Sequence, residues 1–247
     1  MAVINNSINN KVGATNSGAT NTFTVDNASD TASSKALMNI TVGGGTAADA
    51  FETFTVSGTT NWSQGVDNSA SDAYVLSAST ALGTTNIMSA STAGEINYPL
   101  QPAFLVQLAS TASNVIGNSA TPYQVLFDTE VFDQNSDYAS STFTAPVTGR
   151  YQLSTGISMQ QLTALMTFGG VTFVATSRTL TGLEFSAGPA RTVAGTADLL
   201  TLVCSVLMDM TAGDTCSVKV ILNGGASAAV DIIGGTGGSF YSGFLAC

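Results

Sequence analysis

Four carboxylates crowd one short stretch of the chain: Asp128, Glu130, Asp133 and Asp137. Two carboxylates a few ångströms apart are enough to hydrolyse a glycosidic bond. That is the one catalytic route the residue types leave open. The chain contains no His, which removes the Ser-His-Asp triad, the commonest general base and the His-bearing zinc sites. Gly43-Gly44-Gly45 is followed by neither a Gly-Lys-Ser/Thr sequence nor a helical pattern, so it reads as a turn and not as a phosphate loop. Cys204, Cys216 and Cys247 are odd in number and too scattered for a metal knot; the first two sit in apolar runs and read as free thiols. Asp231 is the nearest candidate for a calcium ligand, but it lacks partners in sequence. Sugar-cleaving clefts also need stacking aromatics, and Trp62 is the single Trp. The acidic stretch is therefore read as a solvated loop. The expectation is a non-enzyme with no catalytic residue, no metal site and no cofactor.

The scaffold around these residues is weakly charged. Of 247 residues, 44% are hydrophobic and only 9% charged, against about a quarter in ordinary soluble domains. That is apolar enough to bury a core. Six Lys and Arg against sixteen Asp and Glu give a net charge of −10. The excess is spread along the chain: residues 1-98 carry 2 basic and 7 acidic residues, and residues 99-247 carry 4 and 9. Nucleic-acid binding draws on Lys and Arg to neutralise phosphates, so that class is excluded, and anionic membrane surfaces are disfavoured for the same reason. No apolar run is long enough to span a bilayer. The start, MAVINNSINN, has the form of no signal peptide.

Two grammars divide the chain. Residues 1-98 hold short alternating segments between Asn, Asp, Ser, Thr and Gly: TFTV (22-25), LMNITV (37-42), FTVS (54-57), YVLS (74-77) and NIMS (86-89). Period-2 alternation is the mark of a half-buried strand. Val25-Asp26-Asn27 recurs as Val66-Asp67-Asn68, and Phe23-Thr24-Val25 as Phe54-Thr55-Val56, an imperfect repeat. Strands so poor in large side chains gain burial if three copies wind round one axis. In texture this half resembles the shafts of phage fibres and spikes; a flexible Ser/Thr-rich linker is the alternative. The division expected is an attachment segment over 1-20, a repetitive β-rich, intertwined trimeric shaft over 21-98 and a head over 99-247.

The head carries longer strands. In RYQLSTGISM (150-159), Tyr151, Leu153, Thr155, Ile157 and Met159 share one face while Gln152, Ser154 and Ser158 share the other. Turns are marked at Pro146 to Gly149, Gly213-Asp214, Asn223-Gly224-Gly225 and the GGTGG run at 234-238. Gly149, at the end of its turn, is expected to need a positive φ. Many strands at this spacing predict an all-β sandwich or jelly roll.

An aromatic framework runs through this region. Phe127 is followed after five residues by Asp133 and after four more by Tyr138; Phe143 is followed after five by Gly149, with Tyr151 two beyond. These positions, the Met210 to Asp214 turn, the Ala103-Phe104-Leu105-Val106 opening and the closing SFYSGFL (239-245) resemble the tumour-necrosis-factor and complement globular-head family. Tyr138 and Phe143 stand two residues closer than in that pattern, and Leu153 and Thr155 replace aromatic positions. The resemblance implies a ten-strand jelly roll assembling as a homotrimer, with Tyr151, Phe240 and Phe244 on the packed, axis-facing side.

Together these readings describe a virion structural protein: a phage tail fibre, head fibre or spike, made in the host cytoplasm without a signal peptide. Its N-terminus would dock to other virion proteins, and its head would meet a host-surface glycan or protein. Arg178 and Arg191 are candidate receptor contacts in exposed loops. A capsid decoration protein, or a bacterial adhesin or secreted ligand of the same head type, is the alternative.

Overall fold

The computed structural model describes residues 24–118, 121–186, 199–225 and 229–247. These residues are all-β apart from one short 3-10 turn at Asn68–Ala70. The expected attachment segment at 1-20 and the candidate Arg191 lie outside them.

The first sheet is an antiparallel meander closed within one chain: β1 (Ala50–Thr55), β2 (Asn61–Asp67), β3 (Ala73–Ser77), β4 (Asn86–Ala90) and β5 (Ile96–Asn97), paired in that order. YVLS and NIMS fall on β3 and β4, whereas LMNITV at 37–42 forms no strand. Alternation supplies a face but not a ladder partner. Leu37 and Met38 stand 74% and 58% exposed. In place of that segment the ladder uses β2, whose polar NWSQGVD hides its pattern: Gly65 lies where a Cβ would stand 2.4 Å from Phe51 Cβ. These five strands find their ladders within one chain.

The head is a two-sheet sandwich. Its first sheet runs β9 (Thr129–Asp133), β6 (Ala103–Gln107), β18 (Phe240–Leu245), β12 (Gly149–Gln160) and β15 (Leu199–Met210). β17 (Val230–Ile232) pairs with the end of β12 and with β7 (Ala112–Ile116). The second sheet runs β10 (Tyr138–Ala139), β11 (Thr142–Thr144), β16 (Thr215–Asn223), β13 (Phe168–Ala175) and β14 (Thr179–Ser186), with β8 (Tyr123–Gln124) on β16. The chain crosses the sandwich from β11 to β12, from β12 to β13, from β14 to β15 and from β15 to β16, and again on the way to β18. That switching between sheets is a jelly roll, with seven strands in the first sheet and six in the second, three more than the ten expected.

Strand alternation builds the core between the sheets. Tyr151, Leu153, Thr155, Ile157 and Met159 of β12 are fully buried, and β16 and β13 answer with Cys216, Val218, Val220 and Phe173. Phe104 is the hub. It stacks on Phe143 at 4.8 Å and Tyr138 at 5.3 Å, and meets Tyr241 edge-on at 4.9 Å. Such ring pairs contribute about 0.5–1.5 kcal/mol each beyond the area they bury. The short spacing between Tyr138 and Phe143 has a local cause. The two residues pair directly across a two-residue hairpin whose Ser140 and Ser141 take φ of 50° and 58°, the left-handed pair such a tight turn requires.

Gly149 corrects the sequence reading. It is not among the residues with positive φ; it opens β12, where an added Cβ would meet Leu245 Cδ1 at 2.6 Å and the Cys247 carbonyl oxygen at 2.9 Å.

Candidate functional site

The acidic stretch resolves into backbone caps. Asp133 accepts from the N–H groups of Asp137 and Tyr138 at 3.0 and 2.9 Å, and Asp128 accepts from that of Ala109 at 2.7 Å. Burial, and then the charge of Asp133, raise the pKa of Asp137. These carboxylates shape the turn around Ser136 and the β10 hairpin. Asp231 is buried on β17 and accepts from the Asn114 N–H at 2.7 Å and from the amides of Gln160 and Gln161 at 3.1 and 2.7 Å. Neutral amide donors fill its lone pairs, which makes it a structural tie between β7, β12 and the loop after β12. Among the described residues no three His, Cys, Asp or Glu group to hold a metal. The three thiols are free, and burial pushes that of Cys216 up to about 11.

Arg178 sits on the turn between β13 and β14, which is fastened by the Thr176 N–H donating to the Thr215 carbonyl at 3.0 Å. It borders an open cleft of about 490 Å³ shared with Arg150, Asp209 and Asp214. Arg150 is paired there with Asp209 at 3.0 Å, both side chains well exposed. An exposed pair of this kind contributes little to stability.

The feature without an internal explanation is the outer face of the β9–β6–β18–β12–β15 sheet. β15 reads LLTLVCSVLMDM and is apolar on both sides. Leu202, Met208 and Met210 point into the core, while Leu199, Val203 and Leu207 point out and stand 56%, 64% and 54% exposed. The ladder registers carry that outer face across the sheet in three rows. Leu207, Gln152, Phe244 and Ala103 make the first; Ser205, Ser154, Ser242, Leu105 and Phe132 the second; Val203, Gly156, Phe240 and Gln107 the third. Phe244 is 50% exposed and Phe132 49%. With Leu105 they border a shallow apolar cleft of about 280 Å³. At one end of the face Arg150 and Asp209 face each other across the ladder and are paired.

The sequence candidates therefore separate. Tyr151 is wholly in the sandwich, its hydroxyl donating to the Val147 carbonyl at 2.7 Å. Phe240 and Phe244 alternate with core residues Tyr241 and Gly243 and lie on the outer face. Val203, Leu207 and Phe132 belong to that face and were not singled out by sequence. The signal for the first two is a strand apolar in both phases of its alternation.

No family model matches the chain, and no curated protein matches it. Among solved structures it is similar to the globular domain of zebrafish complement 1qA protein, at 18% identity and a TM-score of 0.39, over 60% of this chain and 98% of that one. It is also similar to murine APRIL, at 12% identity and a TM-score of 0.40, over 59% of this chain and 98% of that one.

Proposed function

We propose that the chain is a structural protein of a virus particle, a fibre or spike, that works as a homotrimer through the outer face of the β15–β12–β18–β6–β9 sheet. The observation that carries this is the uncovered apolar face itself. Monomeric proteins rarely leave large contiguous apolar areas in water; such areas mark interfaces. Its aliphatic and aromatic side chains flank a polar strip of Gln152, Ser154 and Ser242, with Arg150 and Asp209 paired at one end.

The layout favours a ring over a face-to-face pair. An aliphatic column on β15 (Leu199, Val203, Leu207) and an aromatic cluster (Phe244, Phe132) lie toward opposite ends of the ladder rows, with Gln152, Ser154 and Gly156 of β12 between them. The column of one protomer against the cluster of the next, repeated round one axis, is a heterologous contact, which makes a ring when its rotation closes. Three is the count that the resemblance of the framework residues implies.

The place in a virion is supported by the charge-poor, Ser/Thr/Asn-rich sequence and its fibre-like first half. The head presents Arg178 for contact with a host surface, and the N-terminus attaches to other virion proteins. Mass spectrometry of purified particles, with adsorption of the purified protein to host cells, tests the assignment. Presence in the particle together with saturable adsorption is expected. Absence from particles overturns it; presence without adsorption makes the chain a decoration protein instead.

A further inference from the structure

A second uncovered apolar face lies on the β1–β5 sheet. Its two faces differ in kind. Ser63, Val75 and Ser77 are fully buried on one side, covered by the chain's own loop after β3, where the Gly83 N–H donates to Ser77 Oγ at 3.1 Å. On the other side Val42, Gly44 and Gly45 border the Ala50 and Val66 end, and exposed apolar side chains remain. Ladder pairs place Phe54 beside Trp62, Leu76 beside Met88, and Tyr74 and Ile96 on either side of Ala90, all on that open side. Phe54 is 51% exposed, Tyr74 42% and Ile96 59%. Its charged member, Glu52, is bonded to the amide of Gln64 beside it on β2.

A short connector links this sheet to the head. After Ile96, alternate residues Tyr98 and Leu100 are 51% and 45% exposed. The connector bearing them is fastened to the head by three side-chain bonds. Gln134 donates to the Tyr98 carbonyl at 2.7 Å, Asn135 to that of Leu100 at 2.8 Å and Gln101 to that of Leu245 at 3.1 Å. Leu245 follows Phe244 on β18, and Gln134 follows β9, so the connector reaches the head at the strands that carry the aromatic cluster.

We infer that the open face of the β1–β5 sheet is itself an interface between copies of this chain, so that the trimer contact continues from the head through the connector into the N-terminal half. The inference rests on the trimeric reading of the head. Once three heads are joined, three β1–β5 sheets are held within a few residues' reach of one axis. Their mutual contact is then effectively intramolecular and needs little intrinsic affinity. Glu52 is held by its neighbour Gln64, and Phe54, Trp62, Leu76 and Met88 offer an apolar surface that suits a second copy of itself.

Trp62 is the single Trp of the sequence and lies on this face, so it reports contact in the full chain without modification. The experiment is acrylamide quenching of Trp62, with mass by light scattering, on the wild type, on a Leu207→Glu head variant and on Leu76→Glu. The wild-type trimer is expected to show a quenching constant several-fold below that of the dissociated Leu207→Glu chain. Leu76→Glu is expected to restore the high value while the mass remains that of a trimer. If circular dichroism shows Leu76→Glu to be unfolded, Phe54→Ser, at a more exposed site, takes its place with the same expectation. A wild-type trimer quenched as fast as the monomer overturns this inference and leaves the head reading standing. Shielding that persists in both variants also overturns it and assigns the cover to the chain's own residues 24–49. A monomeric wild type overturns both.

Discussion

Gly156 of β12 lies under the ring of Phe240, its partner across the ladder on β18. A Cβ at Gly156 would stand 2.4 Å from Phe240 Cε1. The ring lies flat on the outer face because that Cβ is missing. Gly156→Ala is expected to tilt Phe240 outward while Thr155, on the core side of the same strand, keeps its bond to the Phe240 carbonyl at 2.6 Å. The obstructing atom belongs to the swinging end of a side chain, so the single-chain fold should lose at most about 1 kcal/mol. Dilution series by ultracentrifugation should instead show weaker association. A trimer as tight as the wild type would mean that Phe240 is not part of the contact.

Tyr151 and Gln152 separate the two faces of β12. Tyr151→Ala removes a fully buried ring and should cost about 3–5 kcal/mol, a large share of the stability of a domain. Gln152 faces the other way, between Leu207 and Phe244, and Gln152→Ala should shift the intrinsic stability by no more than roughly 0.5 kcal/mol. Thermal melts of both on the dissociated Leu207→Glu background check this. Equal small losses would contradict the register of β12.

Gly149→Val tests the corrected role of that glycine. The added side chain meets the Cys247 carbonyl and the end of Leu245, and overpacking of this kind costs about 1–3 kcal/mol. Urea unfolding should show a lowered midpoint. Gly149→Ala, whose Cβ alone makes both contacts, should already lower the midpoint, and an alanine variant as stable as the wild type would contradict this role.

How far the sequence foretold this arrangement depends on how local each cause is. The inward residues of β12 follow from alternation alone, and the turns at Gly213, Gly224 and Gly235 follow from glycine at φ near 85–89°. LMNITV misled because a strand is completed by a neighbour that alternation cannot name. β2 was hidden because Gly65 and Ser63 are small for a packing reason, the approach of Phe51 and the cover over Ser77, that exists only in three dimensions. Phe132 joins the candidate site through the pairing of β9 with β6, more than twenty residues away in sequence. No local pattern carries that information.

The thiols supply a test of burial on both sheets. Cys204 and Cys216 have pKa values raised by burial, Cys216 to about 11, while Cys247 is exposed. At neutral pH the half-buried Cys204 and the buried Cys216 stay protonated, and thiolate is the reactive form. Ellman titration of the native protein should show one fast thiol, and three after denaturation. Three fast thiols in the native state would contradict the packing of β15 against β14, where Cys204 lies beneath Gly182.

Mass in solution bears most directly on the central claim. The full chain is 25.0 kDa, and light scattering coupled to size exclusion should give about 75 kDa, three times that value, at micromolar concentration. Val203→Glu with Leu207→Glu places two charges on the outer face, where burial without partners is costly, and should yield a folded species at the single-chain mass with an unchanged β-type circular dichroism spectrum. A wild type that is folded and monomeric at that concentration, or a double variant that stays trimeric, would contradict the assignment of this face as the assembly interface.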